Sequence, residues 1–207
     1  LAALQAWTSE HRSEIDANPA AWSAVELALL DALGKEEGVS VEQLLGLTSA
    51  RGEFRYTAVL GDATEAAFQT QLGRYLAFGF DRFKIKLSGK IETDRRKLAA
   101  LTAAGIPAGH VRADANNLWL DADSAIEHLQ ALDFPFMGLE EPIRAGRPAA
   151  LRQLARALNM RIVLDESLLR LEQLSSYADD PERWRRQAFG DPPGQHRAVL
   201  DQHVAAG

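Results

Sequence analysis

The chain has 207 residues, is 46% hydrophobic, contains no cysteine and carries a formal net charge of −6. A chain of this size and apolar content can bury a sizeable core, whereas its negative balance argues against nucleic acid or an anionic membrane as the main partner. Disulfide and thiolate chemistry are excluded outright, no apolar run approaches membrane-spanning length, and the start, from Leu1, lacks the charged and apolar regions of a signal peptide, so a cytoplasmic location is expected.

Up to about Leu47 the chain reads as helices. Trp22, Val25, Leu29 and Leu33 recur at three- and four-residue spacing, and Gly34 is placed to end that helix. Ser40 to Gln43 has the form of a capping box ahead of Leu44 and Leu45. From Phe54 the pattern changes to alternating strands and helices. The expected order is strand Phe54 to Leu60, helix Ala63 to Ala77, strand Phe83 to Leu87, helix Glu92 to Ala103, strand His110 to Asp114 and helix Ala122 to Leu132. Strand Phe136 to Glu140, helix Pro148 to Leu158, strand Arg161 to Asp165 and helix Leu169 to Tyr177 complete it. Such alternation predicts an α/β fold with a parallel sheet and helices packed outside. The pattern alone fits a doubly wound sheet or a (β/α)8 barrel.

The chemistry falls at the strand ends. Lys84 and Lys86 flank Ile85 on one strand, so both face one side of the sheet. Asp114, Glu140 and Asp165 close the next three strands, each one strand–helix unit after the last. Each acid alone reads as a turn or loop residue, and the lysines alone as guards of an edge strand. Jointly, three carboxylates at the C-terminal ends of consecutive parallel strands converge on one mouth, where barrel active sites lie. Like charges placed so close call for a cation, and hard oxygen ligands favour Mg²⁺, with Mn²⁺ as the alternative ion. Glu141 and Glu166, beside two of these acids, read equally as supporting groups or as solvated side chains, while His110 and His128 read as structural.

Lys-Ile-Lys, Asp-Ala-Asn, Glu-Glu-Pro and Asp-Glu-Ser, in this order and spacing, resemble the enolase superfamily, muconate-lactonizing (muconate cycloisomerase) subgroup, over roughly residues 20 to 184. The resemblance implies a partial (β/α)8 TIM-like barrel of about five strand–helix units over residues 48–184, with residues 1–47 a helical remnant of the capping domain. It implies that Asp114, Glu140 and Asp165 bind the metal and that Lys86 is the general base. Lys84 would lower the pKa of Lys86 and touch the substrate carboxylate, and Asn116, Glu141 and Glu166 would stand around the ligands or toward the substrate. The reaction implied is removal of a proton alpha to a carboxylate, with the enediolate stabilised by the ion. The expected partner is a small carboxylate substrate; self-association is compatible with the class, and neither nucleic acid nor membrane is expected.

Within the subgroup, the segments Phe136 to Pro142 and Val163 to Leu168 look most like o-succinylbenzoate synthases, which dehydrate their substrate in menaquinone synthesis. Dipeptide epimerases and N-succinylamino-acid racemases are the rival readings, and an inactive fragment retaining the ligands is the third. No lysine follows Lys97, so a lysine base for the opposite face of the substrate is missing and elimination is the expected residual activity. The family pattern also leads one to expect further capping-domain and barrel strands at the two ends. After Trp184, residues 185–207 fit no barrel strand. This irregular tail is either a divergent end or frameshifted, since a one-base shift at Arg185-Arg186-Gln187 permits Val-Val-Lys.

Overall fold

In the computed structural model of the chain, residues 1–47, 55–169 and 171–177 are described. They belong to two compact units, the first holding residues 1–47 and the second beginning at Arg55. The tail read as divergent or frameshifted lies outside the described residues, as does Phe54.

The first unit is helical: α1 Ala2–Glu10, α2 Arg12–Ala17, α3 Pro19–Glu37 and α4 Val41–Leu44. The capping box forms as expected, with Ser40 Oγ accepting from the Gln43 N–H and the Gln43 side chain accepting from the Ser40 N–H. α3 differs from expectation in two ways. It runs through Gly34 and ends at Gly38, whose φ of 70° is the left-handed conformation that glycine adopts freely. Its buried stripe runs through Leu30 and Gly34, while Val25 and Leu29 are exposed. Gly34 is needed for packing instead of termination, because a Cβ there would stand 2.8 Å from the Val39 carbonyl oxygen.

The second unit alternates as β1 Ala58–Leu60, α5 Glu65–Ala77, β2 Phe83–Lys86, α6 Ile91–Ala103, β3 Val111–Asp114, α7 Ala122–Leu132, β4 Gly138–Glu140, α8 Pro148–Ala157 and β5 Ile162–Val163. All pairings are parallel and the order is β1-β2-β3-β4-β5, so each strand lies beside its neighbours in sequence. Sequential order without reversal is that of a barrel wall; a doubly wound sheet reverses direction at a switch point. Ala58, Leu60, Phe83, Ile85, Val111, Ala113, Leu139 and Ile162 are buried under the helices. The intervening residues Val59, Lys84, Lys86, Arg112 and Asp114 point to the other, inner face.

Local signals set the helices. Thr64 and Asp121 cap α5 and α7 by accepting from the N–H groups of Ala67 and Ser124. Pro148 occupies the first turn of α8, which buries Leu151, Leu154 and Ala155. The strands are shorter than expected, and the last helix is a 3-10 segment, Leu171–Tyr177. β5 stops at Val163 because the Asp165 N–H goes to the Glu141 side chain, 2.6 Å away. Among the described residues no helix is long and apolar enough to cross a membrane.

Candidate active site

Register places the site residues. Lys86, Asp114, Glu140 and Val163 are successive partners across β2 to β5, and Lys84, Arg112 and Gly138 form the layer below. Because parallel partners share a face, two lysines, an arginine and two carboxylates line one strip of the inner face. Backbone bonds continue the pairing past the strand ends: Ala115 N–H to Glu140 O, Asn117 N–H to Glu141 O and Trp119 N–H to Pro142 O, at 3.0, 2.7 and 3.1 Å. The loops that carry the site are therefore extensions of the wall.

Lys84 is the centre of the strip. Its Nζ lies 3.0 Å from Asp114 Oδ2 and 3.0 Å from Glu140 Oε1. Burial pushes the Lys84 pKa down, but hydrogen bonds and charge from Glu140 and Asp114 outweigh it and hold the ammonium above the ordinary lysine value. Both carboxylates are buried, at 2% and 6% exposure. Asp114 Oδ1 accepts from the Asn116 N–H. Glu140 Oε2 is not similarly served. Arg112 Nε stands 3.2 Å away but outside hydrogen-bonding geometry, so both atoms are buried without a hydrogen bond.

Lys86 reaches the mouth from the same strand. Its Nζ donates to Asn116 Oδ1 at 2.7 Å and stands 3.9 Å from Asp114 Oδ2, with its side chain 40% exposed. Asn116 and Asn117 adopt φ of 44° and 60°, a left-handed pair that asparagine tolerates better than most residues. That turn puts the Asn116 amide against Lys86.

Glu141 ties β4 to the Asp165 loop. It is fully buried, and its carboxylate accepts from the N–H groups of Asp165 and Ser167 and from the Ser167 hydroxyl. Burial raises its pKa and these bonds only partly offset that. Asp165 and Glu166 are exposed at the mouth side of this loop.

The donor set fits a hard divalent cation in part. Asp114 and Glu140 offer adjacent buried carboxylates, and Glu140 Oε2, ion-paired with Arg112 but without a hydrogen bond, is an acceptor of the kind a cation satisfies. Asp165 is not drawn in with them: among the described residues, no three His, Cys, Asp or Glu side chains form a group that could hold an ion. The charge between Asp114 and Glu140 is balanced here by Lys84, so nothing pulls the third acid inward.

Two features escaped the sequence reading. Arg112 shares the inner face with Lys84, and its position two residues before Asp114 was the available signal. A second ionic group lies on the helix side, where Asp94 and Lys97, 0% and 4% exposed, sit on the buried face of α6 with Asp62 and His128. Charged side chains in an apolar stripe look from sequence like solvent-facing ones. His128 has a structural place there, its Nε2 lying 3.2 Å from Asp94 Oδ2, and His110 Nδ1 lies 3.0 Å from the Asp81 carbonyl oxygen.

Known proteins resemble this chain in sequence and fold. Residues 67–181 match the family Enolase C-terminal domain-like, and residues 2–46 match the Mandelate racemase / muconate lactonizing enzyme, N-terminal domain. An L-Lys-D/L-Arg epimerase of Methylococcus capsulatus is 31% identical over 77% of this chain and 44% of its own length. The structure superposes on muconate lactonizing enzyme from Pseudomonas putida with a TM-score of 0.63 and 28% identity, over 75% of this chain and 44% of that one. An enolase superfamily member from Roseovarius nubinhibens, complexed with magnesium, aligns with a TM-score of 0.57 and 25% identity, over 74% of this chain and 41% of that one. The chain thus spans less than half the length of the curated relatives it matches.

Proposed function

The chain belongs to the enolase superfamily, with domains of the mandelate racemase / muconate lactonizing type, and from that premise we propose that its site removes a proton alpha to the carboxylate of a small substrate. The observation that carries this reading is the strip Lys86–Asp114–Lys84–Glu140, in which two buried carboxylates lie beside a partly exposed amine and one carboxylate oxygen has no hydrogen bond. Asp114, Glu140 and Asp165 would hold Mg²⁺, or Mn²⁺ in its place. The ion supplies positive charge against the carboxylate oxygens as the proton leaves. The residues divide the remaining work. Lys86 takes the proton, and Asn116 orients its amine through the 2.7 Å contact. Lys84 balances the two acids and meets the substrate carboxylate. Glu141 fixes the backbone at Asp165, so that this third ligand is presented by a tethered loop. Glu166 stands on the substrate side. The capping domain is assigned to residues 1–47 and the barrel to residues 48–184.

For the substrate, dipeptides form the first panel, because a hydrophobic dipeptide epimerase of Enterococcus faecalis is among the relatives. Dehydration of the o-succinylbenzoate synthase type is the second reading, favoured by the segments Phe136 to Pro142 and Val163 to Leu168. The test is substrate α-proton exchange in D₂O with Mg²⁺, read by NMR. Lys86→Ala is expected to lower the rate about 10²- to 10⁴-fold, the usual worth of a positioned base. Equal rates in both proteins would remove Lys86 from the mechanism.

A further inference from the structure

A second ionic group meets the proposed base from behind. The ammonium of Lys97 donates to Asp62 Oδ1 at 2.7 Å and to the Lys86 carbonyl oxygen at 2.8 Å, and forms an ion pair with Asp94 Oδ1 at 3.5 Å. On the other side of the same peptide unit, the Leu87 N–H donates to the Asp114 carbonyl oxygen at 2.9 Å. The Lys86–Leu87 peptide is thus gripped at both of its polar groups, by α6 at one and β3 at the other. A peptide is planar, so fixing both groups sets the torsions on either side of it. Those torsions set how the chain leaves β2.

Asp94 secures the next step of the chain. Its carboxylate accepts from the N–H groups of Ser88 and Gly89 and from the Ser88 hydroxyl. The loop after Lys86 is therefore tied to the same helix. Packing alone does not call for a lysine here: the neighbouring buried positions of α6 are Leu98 and Leu101. Burying an ammonium is costly unless partners compensate, and no hydrocarbon side chain could bind the Lys86 carbonyl.

We propose that Lys97 is a positioning residue for Lys86, holding the Lys86–Leu87 peptide so that the Lys86 amine is aimed at Asn116 and the mouth. The inference rests on the reading of Lys86 as the base. Misplacing a reacting group by about 1 Å can cost about 10²-fold in rate, so a rigid hold on this one peptide has a direct catalytic consequence.

The test uses the full chain carrying Lys97→Met. Two quantities are measured: acetylation of Lys86 by acetic anhydride relative to exposed Lys35, read by peptide mass spectrometry, and α-proton exchange of any dipeptide that the unmodified chain turns over. Lys86 reactivity is expected to change about threefold or more, and kcat to fall about 10- to 100-fold with KM nearly unchanged. A purely structural Lys97 would lower Tm and leave both the reactivity ratio and kcat of the folded fraction alone, which would overturn the proposal. If the unmodified chain exchanges no α-proton, the functional reading fails; the acetylation ratio then decides the role of Lys97, a change supporting it and no change overturning it. If Lys97→Met does not fold, Asp62→Asn, at a half-exposed position, is read by the same ratio, with a smaller change in the same direction expected and no change overturning the proposal.

Discussion

Two lysines on opposite faces of the sheet, Lys84 and Lys97, each sit between two carboxylates, and the two groups differ in how completely their partners are satisfied. Behind the sheet, Asp94 accepts from two N–H groups and a hydroxyl and also meets His128, and Lys97 donates to Asp62 and to the Lys86 carbonyl and is ion-paired with Asp94. At the mouth, Lys84 bridges Asp114 and Glu140, but Glu140 Oε2 has no hydrogen bond. A hydrogen-bonded cluster inside a wall holds structure; one that keeps a buried carboxylate oxygen without a hydrogen bond, facing only the Arg112 guanidinium, is equipped to take a ligand. Buried charge by itself therefore does not mark a site, and the difference lies in the unfilled acceptor.

Removing each lysine separates the two groups. Lys97→Met leaves Asp94 and Asp62 without their cation, and breaking a buried pair from one side costs about 3–5 kcal/mol. Thermal unfolding should show that loss with or without Mg²⁺, since both Asp94 oxygens already accept from Ser88, Gly89 and His128. Lys84→Met also breaks buried pairs, but Arg112 stays 3.2 Å from Glu140 Oε2, so its cost falls toward the lower end, about 3 kcal/mol, and should be offset by Mg²⁺, because at 100 times Kd a ligand returns about 2.7 kcal/mol. Equal rescue of both variants by Mg²⁺ would erase the distinction drawn between the two faces.

The smallest effect is expected at Glu141. Its pKa is raised by burial, which exceeds the opposing hydrogen bonds. A carboxyl that holds its proton more tightly folded than unfolded contributes stability at low pH, and that contribution is lost as pH rises from the ordinary value of 4.5 through the raised one. Glutamine can accept the two N–H bonds at its carbonyl and donate to the Ser167 hydroxyl. Glu141→Gln should therefore match the unmodified chain at low pH and exceed it slightly in Tm once the pH has risen past the raised value. A variant that is less stable at every pH would show that the ionised carboxylate is required by the Asp165 loop.

Much of the architecture was legible in the sequence because it rests on local signals. The period of the five strand–helix units, the Ser40 capping box and the alternation of Lys84 and Lys86 about Ile85 are all short-range, and each appears in the fold. The α3 stripe was misread because Val25 and Leu29 satisfy a helical period as well as Leu30 does; which stripe is buried depends on neighbours that periodicity does not contain. β5 ended early for a similar reason, since the side chain of Glu141, 24 residues away, takes the Asp165 N–H. At the site, the strand-end acids were visible because register brings one residue per strand to the mouth. Arg112 and the Asp94–Lys97 group were not, because a charged residue's burial is decided by long-range partners such as Asp62 and the Lys86 carbonyl.

The central claim is that the mouth holds a divalent cation on Asp114 and Glu140, with Asp165 as the third ligand. The most direct measurement is calorimetric titration of the full chain with Mg²⁺ and Mn²⁺, beside Asp114→Asn, Glu140→Gln and Asp165→Asn. One ion per chain is predicted, with binding lost in the first two variants and weakened in the third. Equal binding by all four proteins, or none by the unmodified chain, would contradict it.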